Sequence, residues 1–303
     1  MIGVLEICVF LFFVLHILRI YFSDCDAVLH FCERFAKPPD KRLRGRVIWI
    51  TGASSGIGEH LPYKLTEFGC KLVLSARRKD ELDRVKNQCL SLAGKLFPLT
   101  FEEDFLVVPL DITNFASHED CVTKALQQFG KFMISALMCS AHIDFLVNNA
   151  GILQMGSSVD SDLDVDISVL NTNVLGTISL TKAVLPHMIG EGNGQIVVIS
   201  SAFGKCGKFN IQLKRGAKRR GGNVGVTMIC PGLVYSNILK NAYRENIETR
   251  TDQVFPVTTI KTERCVHLTI IAMANALNEV WIAIPKRMIE LYLSQYLPLV
   301  RNW

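Results

Sequence analysis

At 303 residues the chain is long enough for one large α/β domain with a sizeable core. Its formal net charge of +5 is concentrated locally, which excludes a nucleic-acid surface spread over the whole molecule. Ten cysteines are scattered without CxxC or metal-ligand spacing, several in apolar runs (Cys8, Cys70, Cys230), so reduced, buried thiols are expected and a metal site is not.

The run from Ile2 to Phe22 is almost wholly apolar, interrupted by Glu6, His16 and Arg19, and its 21 residues suffice to cross a bilayer as a helix. A membrane anchor over residues 1–22 is the expectation. A cleaved signal peptide fits less well, because no basic residue precedes the apolar core and no A-x-A site follows it. Lys and Arg crowd the downstream flank, which places the globular part on the cytosolic side. No Asn carries the N-x-Ser/Thr sequon, in keeping with that side. Residues 23–42, with Pro38-Pro39, read as a linker, and a folded domain is expected over 43–285.

The domain opens on Val47-Ile48-Trp49-Ile50, followed at once by Thr51-Gly-Ala-Ser-Ser-Gly-Ile-Gly58 and then by helical spacing. A first strand therefore turns into a helix at this point. Gly52, Gly56 and Gly58 permit φ > 0 and close approach of bare backbone. Amide N–H groups at the helix start, with its dipole, favour an anion such as the phosphates of a dinucleotide. Thr51, Gly52, Ser54, Ser55, Gly56, Ile57 and Gly58 are the candidate cofactor residues here. A tight structural turn is the bland alternative. Pro62 falls inside the following helix, where a proline costs about 3 kcal/mol.

Further strands are predicted at Lys71–Ser75, Phe105–Leu110, Ile143–Val147, Ile196–Ser200 and Val224–Cys230. Near-continuous apolar strands alternating with helices indicate a doubly wound α/β fold with a parallel sheet. Ligands in such sheets bind beyond the carboxyl ends of the strands. Arg77 and Arg78 follow the second strand, where a carboxylate would suit NAD; arginines suit the 2′-phosphate of NADP. Asp111-Ile112 follow the third strand and could meet an adenine edge. Asn148-Asn149-Ala150-Gly151 follow the fourth, with backbone bridging by either amide as open as ligand contact. Phe132–His142 reads as an insertion before the fourth strand. Residues 286–303, from the tail of an apolar segment with helical spacing, would either close the core or touch lipid.

TGASSGIG, Asp111, NNAG at Asn148–Gly151, Asn173, the strand ending in Ser200-Ser201, and Pro231-Gly232 together resemble the short-chain dehydrogenase/reductase family, from about Arg46 to Trp281. With the N-terminal run, SARR at Ser75–Arg78, SLTKAVLPHMI at Ser179–Ile189 and ANALNEVWI at Ala274–Ile282, the chain is similar to membrane-bound members of that family. The resemblance implies NADP(H)-dependent reduction of apolar carbonyl compounds, retinoids and steroids among them, at the endoplasmic reticulum membrane. It implies cofactor contacts by Asn149, Ala150, Gly151, Pro231, Gly232 and Ser236. Ser201 then holds the substrate oxygen by hydrogen bond, and Asn173 orders a proton-relay water. No nucleic-acid partner is expected, and the oligomeric state stays open.

One departure dominates. The family's Tyr-x-x-x-Lys pair, a phenol and a neighbouring ammonium that deliver the proton, occurs nowhere in this chain. Where it should stand the sequence runs Lys205 to Gly222, rich in Gly, Lys and Arg, and only 29 residues separate Ser201 from Pro231. Lys214 and Lys218 fall at the Tyr and Lys positions by ungapped counting, but nothing fixes either near a carbonyl. A positioned general acid is worth about 10² to 10⁴ in rate. Impaired catalysis is therefore expected, as in an NADP(H)-binding pseudoenzyme, or in an altered transcript or imperfect gene model of an active reductase.

Overall fold

β-branched and aromatic side chains fill β1 (Val47–Thr51), whose five residues are all buried, so this strand must be covered on both faces. The computed structural model describes Glu6 and residues 22–97, 102–130, 142–157, 159–202, 222–250 and 259–296. Around β1 lie β2 (Lys71–Ser75), β3 (Phe105–Val107), β4 (Phe145–Asn148), β5 (Asn193–Ile199), β6 (Asn223–Pro231) and β7 (Glu279–Ile282). All pairings are parallel and the order is β3-β2-β1-β4-β5-β6-β7. The order reverses between β1 and β4, which defines the crevice where such sheets take ligands.

The helices are α1 (Ala27–Phe35), α2 (Asp40–Leu43), α3 (Gly56–Thr66), α4 (Lys79–Leu96), α5 (His118–Gly130), α6 (Leu163–Leu170), α7 (Thr177–Gly190), α8 (Thr262–Ala274) and α9 (Pro285–Tyr296). One apolar core joins the sheet to α3, α4 and α8 through Leu61, Leu65, Leu82, Val85, Leu268 and Ile271. The other joins it to α5 and α7 through Val122, Ala125, Leu180, Val184 and Met188. The doubly wound expectation therefore holds, with one strand more than foreseen. β7 is only four residues long and starts on the exposed Glu279, with Val280, Trp281 and Ile282 buried behind it. Past Val107 the N–H groups of Val108 and Leu110 still donate to the Leu74 and Ala76 carbonyls at 2.9 Å, and Pro109 stands between them on the edge strand, where no N–H is needed.

At the amino end of the sheet, Asp144 is 3% exposed and joins β1 to β4. Its carboxylate accepts from Arg46 at 2.6 Å and from the Val47 N–H at 2.8 Å, with His142 at 3.1 Å. Burial alone would raise its pKa, but these partners more than offset that and hold it below the ordinary carboxylate value. Helix α3 runs unbroken through the buried Pro62, and the hydroxyl of Thr66 donates to the Pro62 carbonyl at 2.9 Å.

Residues 23–42, read from the sequence as a linker, carry α1 and most of α2, and Cys25, Leu29 and Leu43 lie in the main core. Cys25 pairs antiparallel with Ile282 at the carboxyl end of β7. Asp26 caps α1 by accepting from the N–H groups of Val28 and Leu29, and its other oxygen takes the Trp281 N–H at 2.7 Å. The Arg264 guanidinium from α8 grips Asp24 at 2.7 and 2.8 Å and also holds Glu33. Among the described residues no helix is long and apolar enough to cross a membrane. The Ile2–Phe22 run lies outside them except for Glu6 and Phe22, as do Lys205–Gly221 and all of the 132–142 segment but His142. Helix α9 closes the sheet edge: Met288 is buried with Met228, Cys230 and Trp281.

Candidate functional site

The crevice between β1 and β4 is shaped by residues that admit no side chain. Gly52 and Gly56 have φ of +66° and +58°. A β-carbon on Gly58 would stand 2.2 Å from the Gly52 carbonyl oxygen, and one on Gly52 would stand 2.9 Å from the Ala150 α-carbon. The two turns are thus pressed backbone to backbone. The Thr51 hydroxyl accepts from the N–H groups of Asn149 and Ala150 at 2.9 and 3.0 Å and donates to the Val147 carbonyl. The Asn149 amide returns a hydrogen bond to the Thr51 carbonyl at 2.9 Å. Thr51, Asn149 and Ala150, which the sequence offered as cofactor contacts, here tie the β1 turn to the β4 turn. Asn148 is buried and donates to the Thr181 hydroxyl on α7 at 3.0 Å, a bond to a side chain rather than to backbone.

Helix α3 starts directly on this turn. Ser55 occupies the capping position with an extended backbone and makes no side-chain cap bond, so no hydroxyl blocks the first-turn amides. Ser54 and Ile57 flank the turn half-buried, Ile57 packing on the main core. These uncapped N–H groups, together with the positive end of the helix dipole, suit a phosphate.

Arg77 and Arg78 are exposed beyond β2, and among the described residues neither forms an ion pair. Asp111 is exposed beyond β3; one oxygen accepts from the Thr113 N–H at 2.9 Å and its hydroxyl at 2.7 Å. Partial burial works against its ionisation, but these bonds and the charge of Arg77 hold its pKa below the usual value. The charge of Arg77 is thus felt at Asp111, beyond the end of β3.

Asn173 sits in a π-helical turn, Asn171–Gly176, between α6 and α7. Its side-chain oxygen accepts from the Ile152 N–H at 2.9 Å and its nitrogen donates to the Ile152 carbonyl at 2.8 Å, so both ends of the amide pin the Gly151-Ile152 strand exit. π turns of this kind recur at functional sites. A β-carbon on Gly151 would meet the Asn173 side-chain oxygen at 3.4 Å. Sequence reading did not single out Gly176, where a β-carbon would stand 2.7 Å from the Ile112 carbonyl oxygen. The NVLG run ending there was the available signal.

Ser201 is half-buried at the end of β5, where the Ser200 and Ala202 N–H groups donate to Ile229 and Pro231 carbonyls at 2.8 and 2.9 Å. Pro231 ends β6, and the Gly232 N–H donates to Ile282 at 2.7 Å. Ser236 then folds back over the glycine turn: a β-carbon on Gly56 would stand 3.0 Å from that of Ser236. The sequence also gave no reason to notice Tyr243. Its backbone bonds Leu153 and Met155, its hydroxyl meets the Ser168 hydroxyl at 3.5 Å, and the Arg250 guanidinium lies 3.8 Å from its ring centre. The Ser168 contact, and then Arg250, pull the phenol pKa down.

The model of the short chain dehydrogenase family matches residues 46–247. Dehydrogenase/reductase SDR family member 7 of Homo sapiens is 40% identical over 323 aligned positions, covering 100% of this chain and 89% of the relative. A Drosophila melanogaster protein, dehydrogenase/reductase SDR family protein 7-like, is 33% identical over 71% of this chain and 66% of its own length. Among solved structures, a Burkholderia phymatum short-chain dehydrogenase/reductase in complex with NAD superimposes with a TM-score of 0.67 at 21% identity, covering 86% of this chain and 97% of that one. A Sphingobium yanoikuyae short-chain dehydrogenase in complex with NADPH gives 0.60 at 20% identity, over 82% and 93%. The chain belongs to the short-chain dehydrogenase/reductase family of oxidoreductases.

Proposed function

We propose that the chain binds NADP(H) across the β1–β4 crevice, is anchored in the endoplasmic reticulum membrane with its domain on the cytosolic side, and descends from a reductase of apolar carbonyl compounds of the retinoid or steroid class. One observation carries the binding half: backbone closed upon backbone at Gly52, Gly58 and Ala150, with an uncapped helix start facing outward. Arg77 and Arg78, exposed and without ion pairs among the described residues, favour the extra phosphate of NADP over NAD.

Bound NADPH would supply the hydride. Ser201 would hold the carbonyl oxygen with a fixed hydroxyl donor where negative charge develops, and Asn173 would keep the Gly151-Ile152 turn in place beside it. Delivery of the proton is where this chain falls short, because it holds no Tyr-x-x-x-Lys. The 323-position alignment exceeds the 303 residues here, so the Homo sapiens relative has residues that this chain lacks, which supports a lost segment. Turnover is accordingly slow, and the protein acts chiefly as an NADP(H)-binding module.

The test is thermal unfolding with each dinucleotide. NADPH at one hundred times its Kd should add about 2.7 kcal/mol of stability, NADH markedly less, and NADPH oxidation with all-trans-retinal or steroid ketones should stay weak. No stabilisation by either nucleotide sinks the binding reading; brisk oxidation sinks the claim of impaired proton delivery.

A further inference from the structure

Helix α1 presents a stripe of large apolar side chains to the outside. Val28, Phe31 and Phe35, spaced i, i+3 and i+7, are 59%, 61% and 69% exposed, and Phe22 just upstream is 69% exposed. Phe31 and Phe35 pack on each other along that face, with ring centres 5.0 Å apart. Leu29, on the other side, is fully buried, so the inner face of the helix is already satisfied by the body. Exposed apolar residues arranged on one helix face mark a docking surface.

What covers it follows from where it is fixed. Only Ser23 to Asp26 separate Phe22, the last residue of the apolar N-terminal run, from the start of α1. Four residues reach at most about 14 Å even when fully extended, and here they are folded onto the end of β7 by the Cys25–Ile282 pairing and the Arg264 grip on Asp24 and Glu33. If the run leaves a bilayer at Phe22, the start of α1 is therefore held close to the headgroup layer. Exposed Arg34 within the last turn, and Lys37 and Lys41 beyond it, complement anionic headgroups.

We infer that α1 lies in the plane of the bilayer surface, its Val28-Phe31-Phe35 face sunk among the lipids of the leaflet from which the chain emerges. This rests on the anchor reading above and goes beyond it: the body is held flat against lipid by a second, folded contact. Ile282 joins residues 23–42, the neck of the domain, to the site, because it pairs with Cys25 and accepts the Gly232 N–H. The Pro231-Gly232 turn therefore stands beside the lipid surface, where apolar carbonyl compounds are dissolved.

The full chain carrying Phe31→Trp, in phosphatidylcholine–phosphatidylserine vesicles with brominated acyl chains, tests this against the unsubstituted chain and against Asn87→Trp on α4. A face sunk about 5–10 Å into the boundary predicts that the emission added by Phe31→Trp is largely lost, more to bromines near the acyl carboxyl end than to those near the terminal methyl, while that of Asn87→Trp is spared. Flotation of the same vesicles reads the anchor separately. Flotation without quenching overturns the docking of α1 and leaves the anchor standing. Absence of flotation overturns both. Quenching strongest by deep bromines, equal quenching of Asn87→Trp, or shielding of the new indole from both lipid bromine and aqueous iodide would each overturn it as well.

Discussion

The two ends of the candidate site are built to different standards. At the β1–β4 crevice every turn is fixed: Thr51 and Asn149 lace two loops together, and glycines at 52 and 58 leave space that even a methyl group would fill. At the β5–β6 end, Ser201 and Pro231 are placed by strand pairing, yet the 29 residues between them carry no Tyr-x-x-x-Lys pair. Nucleotide binding needs only the first end and reduction needs both. A chain can thus lose turnover while keeping the fold and the cradle.

Rebuilding the second end is the strongest way to break that contrast. Insertion of a helix bearing Tyr-x-x-x-Lys between Ser201 and Pro231 should raise NADPH-dependent reduction by about 10² to 10⁴, read as steady-state turnover; no gain would move the fault to the first end. Next in size is the frame beneath the crevice. Asp144→Asn should cost about 3 kcal/mol in urea unfolding, at the low end for a broken buried pair because Arg46 is 42% exposed and can turn to water. Its folded pKa is depressed, so the stability it lends is present above 3.8 and is lost as pH falls through the folded value. The variant should lack that acid-side slope.

Smaller effects sharpen the cradle itself. Gly58→Ala pushes a methyl group into the Gly52 carbonyl, a clash that should cost about 1–3 kcal/mol and erase the NADPH-induced thermal shift while leaving the unliganded protein folded. Arg77→Ser should weaken NADPH by roughly tenfold, the equivalent of one charge-assisted hydrogen bond, and leave NADH unchanged in titration calorimetry. Equal losses for both nucleotides would mean that Arg77 does not meet the 2′-phosphate.

The glycine turn and six strands were legible in the sequence because each carries its own physical signature: apolar runs, and residues that only a positive φ or a close approach requires. β7 was not singled out, although Val280 to Ile284 is continuously apolar, because a run this short cannot be told from a buried helix segment by pattern alone and only pairing with β6 settles it. The neck looked like a linker because Pro38-Pro39 suggested one, although Asp26 ahead of an apolar Leu29 was a usable helix-start signal. The π turn at Asn173 leaves no trace in spacing, as one extra residue in a turn shifts the pattern too little to see. Tyr243 reaches Leu153, Met155 and Ser168 through tertiary folding of a loop, which no local pattern encodes.

The thiols carry a last consequence. Burial pushes those of Cys25, Cys89 and Cys265 up to about 12 and that of Cys70 higher still, whereas Cys32 is only half-covered. Among the described thiols of the native protein, an alkylating reagent should therefore mark Cys32 first and reach these buried ones only when their surroundings open. Labelling order then becomes a clock for breathing at the neck, at β2, and in α4 and α8, written into the chain without any added probe.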